Sequence, residues 1–164
     1  MQQRLEEANE DEKQVLFSEI VGSKYFLTGE PNSHRLMKDV FGNYVVQKMF
    51  EFGSPNQRKQ LFYDLRGSIY ELSCDQYGCR VIQKALDVLP SSLQEEVVEE
   101  IKPKIIDCVE DANGNHVVQK IVEQIHSEKV QFIVDSFKTR IYEMSVHQFG
   151  CRVIQRMLEH CDEP

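Results

Sequence analysis

The hexapeptides NYVVQK (residues 43–48), CRVIQK (79–84), NHVVQK (115–120) and CRVIQR (151–156) recur at intervals of 36 residues, and the interval does not drift. The match extends outward from them. A glycine precedes each window at the same offset (Gly42, Gly78, Gly114, Gly150), an apolar residue lies six positions before that (Leu36, Leu72, Cys108, Met144), and Leu61/Val97/Ile133, Phe62/Val98/Val134 and Leu65/Ile101/Phe137 continue the register between windows. Self-similarity at such a period is the mark of a repeat architecture. Within one unit, residues 68–73 (SIYELS) predict a short helix, 75–78 a turn and 79–89 a second helix. Pro90-Ser91-Ser92 then breaks the chain and can cap a third helix over residues 93–102, which ends before Pro103. Strand alternation is absent. Three helices per unit at a fixed period describe an all-α solenoid, in which each unit buries its apolar faces only against its neighbours.

The chain has 164 residues, enough for one domain or one short array, with 41% hydrophobic and 28% charged residues, a composition that predicts a packed fold. No stretch approaches the roughly 18–20 apolar residues of a membrane span, and the first residues, MQQRLEEANEDEK, are acidic and polar, unlike a leader. Five cysteines, an odd number with no CxxC pair, fit reduced thiols in the cytoplasm. The net charge of −8 argues by itself against a polyanionic partner. Its distribution argues otherwise: the four windows hold six basic residues and no acidic one, so the rest of the chain carries −14.

At about 100° per residue, Asn43, Tyr44, Gln47 and Lys48 share an arc of roughly 140°, with Val45, Val46, Met49 and Phe50 opposite. Stacking the units lines these polar faces up as rungs: Asn43/Tyr44/Gln47, Cys79/Arg80/Gln83, Asn115/His116/Gln119 and Cys151/Arg152/Gln155. The second member of each rung, Tyr44, Arg80, His116 or Arg152, offers a flat surface on which a nucleobase stacks. The glutamine amide offers a donor and an acceptor to a base edge, Asn can share a uracil edge with it, and the smaller Cys leaves room for a purine. Lys48, Lys84, Lys120 and Arg156 lie one turn from the stacking residue, within reach of phosphates. Glu51, Asp87, Glu123 and Glu159 repeat in register on the same side, either to pair with these cations or to limit non-specific phosphate binding.

These windows, with the DVFG, DQYG and DANG turns before them, resemble the Pumilio-type (PUF) RNA-binding repeat from about residue 36 to the end, and more weakly over residues 2–22. The resemblance implies a right-handed α-solenoid of three-helix repeats with a concave binding face. It implies one RNA base per repeat, with Asn43, Gln47, Cys79, Gln83, Asn115, Gln119, Cys151 and Gln155 on base edges, and Tyr44, Arg80, His116 and Arg152 stacked between bases. Asn/Gln implies uracil and Cys/Gln adenine. The family's RNA runs antiparallel to the protein, so the implied word is 5′-A-U-A-U-3′. The implied partners are the 3′ untranslated region of messenger RNA and protein co-repressors or decay factors, with no cofactor. Residues 36–66, 67–102 and 103–138 are expected as repeats and 139–164 as a repeat lacking its third helix. Residues 1–23 are expected to end an earlier repeat, with Gln2 at its fifth window position; because Gln2 and Gln47 are 45 apart, about nine extra residues form an inserted loop over 24–35. The family normally carries eight repeats, and the uncapped ends of a four-window array imply self-association.

The competing reading of the rungs is a HEAT-like or armadillo-like scaffold that binds protein; the alternation of Asn and Cys against an unchanging Gln argues against it. Cys74, Cys108 and Cys161 are read as core or incidental. His147 and Cys151, four apart, suggest a metal pair, but no further ligand lies near in sequence, and no metal is expected. His116 has no nucleophile or carboxylate placed by a catalytic motif, and no phosphate loop or nucleophile elbow occurs, so no enzyme is expected.

Overall fold

A computed structural model of the chain describes residues 9–22 and 35–160. Among them are eleven α-helices and no strand. Helix α1 (Glu10–Val21) is followed by α2 (Gly42–Phe52), α3 (Pro55–Leu65), α4 (Ile69–Ser73), α5 (Gly78–Val88), α6 (Ser91–Ile101), α7 (Ile105–Glu110), α8 (Gly114–Gln124), α9 (Ser127–Phe137), α10 (Ile141–Val146) and α11 (Gly150–His160). The expected cycle of a short helix, a window helix and an outer helix therefore recurs. The first unit opens differently, in turns over residues 35–40. Gln2, Cys161 and all of the expected inserted loop except Arg35 lie outside the described residues.

The window helices α2, α5, α8 and α11 pack side by side, each against the next. In α5 the 3.6-residue period puts Val81, Ile82, Ala85 and Leu86 in the interior, and Val117, Val118, Ile121 and Val122 do the same in α8. Phe50, Leu86 and Val122 occupy one repeat position at the junction between units, and each is at most 2% exposed. Burying such a side chain stabilises the stack by about 1.5–3 kcal/mol, so the junctions between repeats, not single units, hold the array. Helix starts follow local chemistry. Ser54 and Gln57 form a reciprocal capping box ahead of Pro55, which suits the first helical position because it needs no N–H there. Pro90-Ser91-Ser92 does break the chain, but no side chain caps α6; its first turn is closed by the Pro90 carbonyl, which accepts from Leu93 and Gln94 N–H. Gly67, between α3 and α4, has φ of +84°, a conformation that disfavours any residue with a Cβ.

Side chains also tie each unit to the next. The Glu100 carboxylate on α6 accepts from the N–H groups of Gly67 (2.9 Å) and Ile69 (2.7 Å), fixing the start of α4. Arg140 reaches back to Glu110 at 2.6 Å, and Arg66 pairs with Glu96 at 3.1 Å. No described helix is long and apolar enough to cross a membrane.

Candidate nucleic-acid interface

Each window helix begins directly after a turn, and the turn is organised by one side chain. Asp39 Oδ1 accepts from the N–H groups of Phe41 (2.9 Å) and Gly42 (2.7 Å). Asp75 does the same for Tyr77 (2.9 Å) and Gly78 (2.7 Å), and Asp111 for Asn113 and Gly114 (both 2.8 Å). The bonds from Gly42 and then Phe41 hold the Asp39 carboxyl below its ordinary value of 3.8. In the fourth unit the position is His147, whose Nδ1 accepts from Phe149 (3.3 Å) and Gly150 (3.2 Å). The glycines are required by close approach: a Cβ on Gly78, Gly114 or Gly150 would lie 2.7, 2.6 or 2.8 Å from the carbonyl oxygen of Leu72, Cys108 or Met144.

These turns place the rungs. Asn43 and Asn115 lie on the polar arc, yet both are fully buried. Asn43 Nδ2 donates to the carbonyls of Asp39 (2.9 Å) and Val40 (3.0 Å), and its Oδ1 accepts from Gln47 Nε2 at 2.9 Å. Asn115 repeats this with Asp111, Ala112 and Gln119, each at 2.9 Å. The Gln47 and Gln119 amides are thus turned so that Oε1 and one N–H remain for another partner. In the second rung the Cys79 thiol contacts the Gln76 carbonyl at 3.6 Å, and Gln83 Nε2 donates to the Cys79 backbone oxygen at 3.2 Å. Burial pushes the Cys79 thiol up, so it stays protonated and can donate. Cys151 Sγ lies 3.8 Å from the Gln148 carbonyl, and Gln155 is exposed.

Tyr44, Arg80, His116 and Arg152 are all exposed on this face. Arg80 Nη1 donates to the Tyr44 hydroxyl at 3.3 Å, and Tyr44, Gln47, Arg80, Gln83, Lys84 and Asp87 line a cleft between the first two rungs. A planar group entering there meets an aromatic ring on one side, a guanidinium on the other and two amides at its edge.

The four expected phosphate contacts are engaged within the protein. Lys48 and Lys84 both pair with Glu51 (3.3 and 3.9 Å), Lys120 with Asp87 (2.8 Å), and Arg156 with Glu123 (3.0 Å) and Glu159. Of the two roles open to the acidic series, pairing is the one observed. The acid stands three residues after one cation and one repeat before the next, so a ladder of ion pairs runs along the face. Sequence periodicity located the members of this ladder and left pairing as one of two roles, without saying which cation each acid meets. It also left unread the capping role of Asp39, Asp75 and Asp111, although the fixed D-x-x-G spacing carries that signal.

A sequence profile of the Pumilio-family RNA binding repeat matches residues 1–21, 32–65, 68–102, 104–136 and 140–164, which covers nearly the whole chain and all four windows. The chain belongs to the Pumilio family. It is 47% identical over 73 residues to Pumilio homolog 1 of Xenopus laevis, covering 44% of this chain and 5% of that protein. It is 42% identical over 70 residues to the mRNA-binding protein puf3 of Schizosaccharomyces pombe, covering 43% of this chain and 8% of that protein. Among solved structures, the Puf3 RNA binding domain bound to a Cox17 RNA 3′ UTR recognition sequence (site B) superposes with a TM-score of 0.89 at 43% identity, over 98% of this chain and 43% of that one. PUF-8 in complex with PBE-RNA gives 0.88 at 41% identity, over 98% and 45%. The chain therefore spans less than half of those solved chains and a small part of the two curated relatives. The Pumilio repeat accounts for the 36-residue unit and for the all-helical solenoid.

Proposed function

We propose that this chain binds single-stranded RNA sequence-specifically along the face of the window helices, one base per rung, with the core word 5′-A-U-A-U-3′. The observation that carries the reading is the alternation of two amide settings: Gln47 and Gln119 held by buried Asn side chains, and Gln83 held lower, on the Cys79 backbone. The Asn rungs bring polar atoms forward for the smaller pyrimidine, and the Cys rungs leave depth for a purine. Exposed Tyr44, Arg80, His116 and Arg152 supply stacking surfaces, each adding about 1–3 kcal/mol per base. The solved relatives in complex with 3′ UTR sequences support the same ligand class here. Through it we infer post-transcriptional regulation of messenger RNA, with protein co-repressors or decay factors recruited to the array.

The test is fluorescence anisotropy of an RNA carrying A-U-A-U against one carrying A-C-A-C, at two salt concentrations. Tighter binding of A-U-A-U, weakened by Tyr44→Ala and by Arg80→Ala, is the expected result; equal binding of the two withdraws the code and favours a protein ligand on this face. A finer check is Cys79→Ser with Gln83→Glu, which shifts that rung from adenine toward guanine by family analogy. Self-association is part of the proposal, through the exposed apolar side chains Tyr142 (80%) on α10 and Leu158 (81%) on α11. Sedimentation velocity over a concentration series checks this.

A further inference from the structure

The four turns that start the window helices do the same work with two different chemistries. Three of them use a carboxylate acceptor and the fourth uses an imidazole nitrogen, in the same register and on the same two N–H groups. We infer that His147 is the positioning residue of the fourth rung, and that it holds Cys151, Arg152 and Gln155 in place only as the neutral imidazole. An imidazole nitrogen accepts a hydrogen bond through its lone pair, and protonation replaces that lone pair with an N–H. Two N–H groups then face a third, and the turn loses its acceptor. Imidazoles change charge between about pH 5 and 8, whereas a carboxylate cap goes on accepting down to far lower pH.

The consequence is confined to one rung. His147 lies four residues before Cys151, and its backbone carbonyl accepts from the Cys151 N–H at 3.2 Å, so the turn it organises is the direct support of the rung. The fourth turn is also the weakest, at 3.2–3.3 Å against 2.7–2.9 Å in the carboxylate turns. The ring is backed by an edge contact with Phe149, centroids 5.7 Å apart. The charged side chains and histidines on the packed elements are Glu143 on α10 with Arg140 just before it, Asp107 and Glu110 on α7, His116, Lys120 and Glu123 on α8, and Arg152, Arg156, Glu159 and His160 on α11. Of these, Glu143 interacts electrostatically with His147. Its carboxylate is held below the ordinary range mainly by the Arg140 hydrogen bond, and Arg140 also bonds Glu110, so this anion is already engaged and does not restore the missing acceptor.

The inference rests on the RNA reading only for its binding arm. That arm compares A-U-A-U with C-U-A-U, altered at the base assigned to the fourth rung, at about pH 8 and about pH 5.5. The preference for A-U-A-U is expected to fall roughly five-fold on acidification, the equivalent of one helix cap of about 1 kcal/mol. His147→Asp restores a carboxylate and is expected to keep the preference at both values. A second arm needs no RNA: the amide protons of Phe149 and Gly150 are followed by NMR against pH, together with the His147 ring nitrogens. Both amides should lose hydrogen-exchange protection as His147 protonates, and keep it in His147→Asp. If the wild type and His147→Asp respond alike to pH in the amide arm, the inference is overturned. If the amides titrate as expected and neither RNA binds at any pH, the RNA reading fails and the positioning role stands.

Discussion

Replacing Asn115 by Cys turns the third rung into a copy of the second, and its cost follows from the two geometries. Asn115 makes three hydrogen bonds while fully buried: two from Nδ2 to the Asp111 and Ala112 carbonyls and one accepted from Gln119, all at 2.9 Å. Cys79, in register, has only a thiol contact of 3.6 Å to the Gln76 carbonyl and a bond from Gln83 to its own backbone oxygen at 3.2 Å. Asn115→Cys therefore loses one full hydrogen bond and exchanges another for a weak one. At about 1 kcal/mol per net hydrogen bond this amounts to about 1–2 kcal/mol, or a fall in Tm of about 2–8 °C for a chain of this size. Denaturant unfolding followed by circular dichroism measures the first effect. Anisotropy with A-U-A-U against A-A-A-U measures the second, because the variant rung is expected to exchange uracil for adenine. Asn115→Asp sharpens the comparison by directing an anion at two carbonyls, and is expected to cost more than the Cys variant. An unchanged midpoint in Asn115→Cys refutes the claim that these amide bonds hold the rung. A lowered midpoint with an unchanged base preference refutes the link between amide setting and base choice.

Gly114→Ala places a methyl 2.6 Å from the Cys108 carbonyl and 2.8 Å from its sulfur, and is expected to cost about 1–3 kcal/mol in denaturant unfolding. Leu86→Ala removes a fully buried side chain at the junction of two repeats and is expected to cost about 2–5 kcal/mol, read from the same transition. The Asp39 carboxyl is depressed in the folded state by the Gly42 and Phe41 N–H groups, so its contribution is present above the unfolded value near 3.8 and is lost as pH falls through the lower folded value. Asn in its place is expected to remove that part of the acid dependence, measured by unfolding midpoint against pH. Lys120→Ala breaks the 2.8 Å pair with Asp87 between partly exposed side chains, and is expected to change stability by less than about 1 kcal/mol, an effect that shrinks at high salt.

The sequence carried the architecture because the repeat makes four independent statements of one pattern. A single window such as NYVVQK is ambiguous; four of them at one spacing, each with its glycine and its apolar residue six positions earlier, leave only stacked helical units. The rung faces were legible for the same reason. What periodicity does not carry is the state of a polar atom. Asn43 reads as a solvent-facing residue on a helical wheel and is fully buried, because at the first turn of the helix its side chain folds back onto carbonyls of the preceding turn. Lys120 reads as a cation beside a phosphate path with pairing left open, and its partner is Asp87 of the previous repeat, since contacts across 33 residues appear only once the units are stacked. His147 reads in sequence only as half of a metal pair that lacks further ligands, because spacing to Cys151 is visible in sequence and a hydrogen bond to two backbone N–H groups is not.

The pairing of the cations bears on how this face would hold the RNA proposed for it. A chain of net charge −8 whose window cations are matched by Glu51, Asp87 and Glu123 has little unbalanced positive charge on the rungs beyond Arg80 and Arg152. Counterion release scales with the phosphates neutralised, so two such cations give a slope of log K against log salt of about −1 to −2, much shallower than for a basic nucleic-acid binder. Affinity on this surface then has to come from stacking and from base edges, the terms that depend on base identity. On the proposed RNA reading, the acidic members of the ladder lower the phosphate term that every sequence shares, and discrimination is left to the edge contacts that a mismatched base loses. Breaking the ladder on its acidic side, as in Asp87→Asn, frees Lys120 and should raise affinity for A-U-A-U and A-C-A-C by the same factor, steepening the salt slope and leaving the ratio between them unchanged. A changed ratio in that variant would show that Asp87 positions the rung instead of tempering its charge.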